Sequence, residues 1–102
     1  MAWGARQEED STWRLCERRG GTVLRLLPPE KLDVEIRFPG RAKAEQCAAT
    51  LNEAFWPEYE QHRRKKTALS AETIWAMLEI IHAHQGITPE DMQRIREYGD
   101  RK

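Results

Sequence analysis

The stretch KLDVEIRF, residues 31–38, alternates without a break: Leu32, Val34, Ile36 and Phe38 are apolar, and Lys31, Asp33, Glu35 and Arg37 between them are charged. Period-2 alternation sends the two sets to opposite faces of an extended chain, so the segment predicts a strand with one buried and one wet face. A strand of an all-parallel sheet is buried on both faces and reads as a continuous apolar run, so this pattern predicts an antiparallel sheet covered on one side. Such a sheet needs a covering layer, and the sequence on either side shows what it is.

Upstream, TWRLCER (residues 12–18) places Trp13 and Leu15 on one side and Cys16 on the other. RGG (19–21) follows as a turn and TVLRLL (22–27) as a β-rich run, which together predict a hairpin. Pro28 and Pro29 then break the chain, because proline donates no ladder hydrogen bond and fixes its backbone in turn or polyproline geometry. The expectation is a three-stranded antiparallel meander. Residues 1–11, MAWGARQEEDS, show no periodicity and are predicted to form a disordered N-terminal tail carrying Trp3.

Downstream, Pro39 and Gly40 end the strand and the period turns helical. Ala44, Cys47, Ala48, Leu51, Ala54 and Phe55 fall on one stripe, the natural cover for the sheet, while Ala42, Ala49 and Trp56 form a thinner line beside it. Pro57 interrupts this helix, and since Tyr59 and His62 keep its phase, a kinked continuation is predicted. Ser70 is a natural N-cap for a second helix to about Gln85, with Gly86 as its stop. Thr88 caps a third, with Pro89 first, Glu90 and Asp91 in the first turn and Gly99 at the end. The predicted fold is α+β: the meander, a long helix on one face, and a C-terminal αα-hairpin, forming one domain over 12–99, with 100–102 frayed. Its expected core is Trp13, Leu15, Leu32, Val34, Ile36, Phe38, Leu51, Phe55, Ile74, Leu78, Ile81, Met92 and Ile95.

Charge narrows the function classes. Lys+Arg and Asp+Glu both number 17 in 102 residues, so no net field draws the whole chain to polyanions or anionic membranes. No apolar run approaches the roughly 18 residues of a membrane span and none resembles a signal peptide, so a cytoplasmic protein is expected. HRRKK, residues 62–66, stands where cations favour a helix end through the helix dipole. As a phosphate-binding patch, Arg63, Arg64, Lys65 and Lys66, aided by Arg41 and Lys43 if the fold brings them near, make nucleic-acid binding the alternative function. The second and third helices are spaced like a helix-turn-helix, but Glu90 and Asp91 would face the DNA backbone and repel it. The strand's exposed row, Lys31, Asp33, Glu35 and Arg37, has no aromatic on which RNA bases could stack.

Catalytic and metal chemistry find no foothold in the pattern. His82 and His84 are two apart on a helix and point about 200° apart, so they cannot share a metal. Cys16 and Cys47 follow no metal or redox spacing, and Cys47 reads as a small core hydrophobe. No nucleophile with an adjacent base, no paired inward carboxylates and no phosphate loop is visible. The expectation is a non-enzymatic protein-interaction module without cofactor or metal, binding a partner protein or a second copy of itself. Its interface is expected at Trp56, Trp75, Met77 and Ile80, because the 70–85 helix is apolar around more than half its circumference and wants more than one neighbour.

Overall fold

The computed structural model describes residues 2–28 and 30–100, with Pro29 of the predicted break and residues 101 and 102 of the predicted frayed end outside the described residues. Along the chain run β1 (Trp3–Gln7), β2 (Trp13–Glu17), α1 (Arg41–Lys65), α2 (Ala71–Ala83) and α3 (Pro89–Asp100). The mixed α+β class is as expected. The sheet is not: among the described residues it has two antiparallel strands, β1 and β2, in place of a three-stranded meander.

β1 lies where a disordered tail was expected. It pairs with β2 in a register that sets Trp3 against Glu17, Ala5 against Leu15 and Gln7 against Trp13. WGARQ has little strand propensity of its own, and burial decides instead, since Trp3 is fully buried; an indole of that size stabilises more than the local preferences oppose. The turn is built from Asp10, whose carboxylate accepts from the Thr12 N–H at 3.0 Å, with Ser11 in the left-handed region at φ 71°.

The missing third strand has a geometric reason. The second edge of β2 turns outward the backbone groups of Trp13, Leu15 and Glu17, and two different segments share them. Glu17 N–H donates to Thr22 O and Leu24 N–H to Leu15 O, both at 2.8 Å, after the turn at Gly20 and Gly21. Trp13 and Phe38 then exchange both their bonds, at 2.9 and 2.8 Å. The predicted hairpin through RGG is thus reduced to its first bonds, and among the described residues 31–38 share backbone hydrogen bonds with the sheet only at Phe38. Their alternation still reports burial: Val34, Ile36 and Phe38 face the core, while Lys31, Asp33 and Glu35 are exposed.

α1 runs unbroken through Pro57 and covers the sheet, with Ala44, Cys47, Ala48 and Leu51 buried along its stripe and Ala54, expected there, exposed. It ends with Lys66 at φ 55°, where Thr67 N–H donates to His62 O at 2.9 Å and Lys66 N–H to Arg63 O at 3.2 Å, a Schellman closure. α2 is capped as predicted, Ser70 accepting from Thr73 N–H, and stops at Ala83, two residues early. Its closure is of the same type, with Gln85 at φ 68°, Gln85 N–H bonded to His82 O and Gly86 N–H to Ile81 O. The left-handed position that Gly86 was expected to fill is therefore held by Gln85. Gly86 serves another need: a Cβ there would lie 2.5 Å from the Phe38 ring. Thr88 Oγ1 caps α3 by accepting from Asp91 N–H at 3.1 Å, and the helix passes through Gly99 to Asp100.

One apolar cluster joins these elements. Of the expected core, Trp13, Leu32, Phe55 and Ile74 are only partly buried, while Trp3, Leu24, Ala44, Cys47, Ala48, Met77 and Ile87 complete the centre.

Candidate interaction site

The position of each apolar residue on α2 follows from helical periodicity. Met77, Leu78 and Ile81 are buried beneath the helix. Met77 is 0% exposed, which corrects its expected place at an interface: it is a core residue. Trp75 and Ile80 are five apart and so point about 140° apart, on opposite flanks. Thr73, seven residues before Ile80 and hence on the same flank, donates its hydroxyl to Glu58 of α1 at 2.9 Å. Ile80 therefore lies on the α1 side, half-buried. Trp75 lies on the α3 side, with its indole against Gly99.

There the two helices leave an open apolar cleft of about 280 Å³, lined by Leu27, Ile74, Trp75, Leu78, Ile95 and Tyr98, with Ala71 and Gly99 at its ends. Glu72 and Glu79 stand one turn before and after Trp75 and are exposed, so the α2 rim of the cleft is acidic. Ile74, Leu78 and Ile95 were legible as apolar helix positions. Leu27 and Tyr98 were missed as site residues, because an irregular segment and a helix end carry no periodic signal.

Trp56, the remaining interface candidate, is half-buried in an aromatic cluster of its own chain. Its ring centroid is 4.9 Å from that of Trp3, edge to face, and 5.6 Å from that of Tyr59. Tyr59 Oη donates to Glu17 at 3.1 Å, and Arg63 binds the other carboxylate oxygen at 2.5 Å. Glu17 is 4% exposed, so these two groups satisfy a carboxylate that burial would otherwise penalise heavily. Burial, then the bond to Glu17, pushes the Tyr59 phenol up to about 12.

The basic run is thereby partly consumed. Arg63 serves Glu17, Arg64 lies 3.7 Å from Glu60, and Lys65 and Lys66 are exposed at the helix end. Arg41 and Lys43 are not brought near: Arg41 bonds Glu45 at 2.7 Å at the opposite end of α1, about 30 Å away at 1.5 Å per residue. Arg14 of β2 is 6% exposed and lies 3.8 Å from Glu35. Glu35 also holds Arg37 at 2.7 Å, and that bond keeps its carboxyl below the usual range.

Cys16 and Cys47 are both buried free thiols, and burial pushes Cys47 up to about 12. His84 Nδ1 lies 2.8 Å from Ile80 O and His62 Nδ1 2.7 Å from Thr67 Oγ1. Among the described residues no three His, Cys, Asp or Glu side chains are placed to hold a metal, and no helix is long and apolar enough to cross a membrane. Comparison with known protein families, with curated proteins and with solved structures finds no match to the chain.

Proposed function

We propose that this chain is a small non-enzymatic interaction module that receives a basic, amphipathic segment of a partner protein in the cleft between α2 and α3. The observation that carries the reading is the cleft itself. It places a partly buried Trp, a residue type enriched at energetic centres of interfaces, among Ile, Leu and Tyr between two helices. Glu72 and Glu79 on its rim select the charge of the occupant: an apolar stripe enters the cleft while flanking Lys or Arg meets the carboxylates. The nucleic-acid alternative is weaker on this geometry, because Arg41, Arg63 and Arg64 each face a carboxylate of their own chain and the two basic groups stand at opposite ends of α1.

The test is a titration of the isotopically labelled protein with a Leu/Lys amphipathic helical peptide and with its Leu/Glu counterpart. Binding of the Leu/Lys peptide alone, with amide shifts centred on residues 71–79 and 95–99 and lost in Trp75→Lys, is the expected result. Shifts confined to the Lys65 end of α1, or equal response to both peptides, would sink the reading. A salt-insensitive dimer with the cleft protected from exchange would assign the cleft to a second copy instead.

A further inference from the structure

The outer edge of β1 is a feature separate from the cleft between α2 and α3. In an antiparallel pair the residues that bond across the ladder alternate with residues whose N–H and C=O point away. Arg18 N–H donates to Ala2 O and Glu8 N–H to Thr12 O, both at 2.8 Å, so the even positions from 2 to 8 face β2. Trp3, Ala5 and Gln7 consequently turn their backbone groups outward. Trp3 shows the phase directly: its N–H donates to Asn52 Oδ1 at 2.8 Å and its C=O accepts from Asn52 Nδ2 at 3.0 Å. The Asn52 amide thus acts as one peptide unit of a third strand and stops after one residue. Among the described residues nothing comparable reaches the outward groups of Ala5 or Gln7. Beside them, between β1 and α1, lies an open cleft of about 540 Å³ bordered by Gly4, Ala5, Arg18, Ala48, Ala49 and Asn52, with Glu45 at its end already held by Arg41.

Charge decides what fits this edge. Arg6 stands opposite Arg14 in the ladder, a like-charge pair across the strands. Arg18 lies on the same face, its side chain across Gly4. Arg6 is half-exposed, and its contacts to Glu8 and to Gly21 O are both long, at 3.4 Å. An antiparallel strand bonding Ala5 and Gln7 puts its central side chain directly opposite Arg6. If that strand were β1 of a second copy in the symmetric register, Arg6 would face Arg6, which is destabilising. We propose that the open edge of β1 is a docking site for an extended segment of another protein that adds as a third strand and sets an acidic side chain opposite Arg6.

The experiment uses the full chain, isotopically labelled, with two capped peptides at up to millimolar concentration: Ser-Val-Thr-Glu-Thr-Val-Ser and the same peptide with Lys at its centre. The Glu peptide is expected to shift the Ala5 and Gln7 amides and slow their hydrogen exchange, and to bind about five-fold or more tightly than the Lys peptide. Gln7→Pro removes one outward N–H without touching the β1–β2 ladder and should abolish the shifts. Arg6→Glu keeps every backbone bond and should invert the preference between the peptides, so the proposal stays testable even if the proline variant fails to fold. Unchanged amides at Ala5 and Gln7, equal binding of the two peptides, or an Arg6→Glu variant with unaltered preference would overturn the proposal. So would exchange protection of Ala5 that appears with protein concentration alone, since that would identify the occupant as a second copy.

Discussion

Gly86 and Gln85 show how much one side chain decides at the turn after α2. Gly86 bonds through both backbone groups, donating to Ile81 O at 2.8 Å and accepting from Arg37 N–H at 2.9 Å, so it cannot retreat. A Cβ there would meet the Phe38 ring at 2.5 and 2.6 Å and Ile81 Cγ2 at 2.7 Å, and both neighbours are themselves fully buried. Gly86→Ala should therefore cost about 2–3 kcal/mol in urea unfolding, the usual scale of overpacking. Gly86→Ala combined with Phe38→Leu should cost less than the sum of the two single changes, because the smaller side chain vacates the contested space. Gln85 is the reverse case. It holds a left-handed conformation, φ 68°, at the position where helices of this closure usually carry glycine. Gln85→Gly should raise stability by about 1 kcal/mol, and an unchanged unfolding midpoint would mean that its side chain contributes a compensating contact.

At the scale of elements, α1 is the part on which β1, β2 and α2 are assembled, and its polar contacts matter as much as its apolar stripe. Asn52 satisfies both outward backbone groups of Trp3 across 49 residues of sequence. Asn52→Ala should cost about 1–3 kcal/mol, the penalty for leaving partly buried backbone groups without partners. Tyr59 ties α1 to β2 through Glu17, and its phenol titrates near 12 in the fold against an ordinary value near 10. A raised folded value means that the stability is intact below pH about 10 and declines as the pH climbs toward 12, where the unfolded chain ionises first. Cys47, also raised to about 12 from an ordinary thiol value, acts in the same direction from about pH 9. Thermal midpoints measured from pH 8 to 12 should fall, and more shallowly in Tyr59→Phe; parallel curves for the two proteins would remove Tyr59 from the cause. The helices were legible in the sequence because caps and apolar stripes are local signals, as at Ser70, Thr88 and the Ala44 to Leu51 stripe. Of the strands, β2 was legible within TWRLCER, but β1 and the pairing were not, because alternation reports which side chains are buried and says nothing of which backbone edge is free: Phe38 finds a place on β2, while Leu24 and Thr22 hold the rest of that edge. The cleft was half-legible. Trp75 was visible on its helix, but the apolar pattern of α2 could not separate it from Met77, since that depends on which flanks α1 and α3 cover.

For the whole molecule, the N-terminal residues are the place where a local reading and the fold diverge most. The radius of gyration is 13.1 Å, about the value of a compact domain of roughly 100 residues, so β1 belongs inside this body and is no appendage to it. Trp3 is fully buried and meets Trp56 and Tyr59, and β1 covers one whole edge of β2. Removing residues 1–8 would open that edge, strip the aromatic cluster of its central ring and leave Asn52 without its partner at the same time. Trp3→Ala alone should cost about 3–5 kcal/mol, against a total that for ordinary domains is about 5–15 kcal/mol. The truncation, which adds the lost ladder to the lost ring, should therefore abolish cooperative unfolding and the near-ultraviolet signature of fixed aromatic packing. If the sequence-level expectation of a tail were right, both proteins would unfold at the same urea concentration. A truncated chain with an unchanged midpoint would therefore restore the tail and remove β1 from the fold, and with it the docking edge that β1 provides.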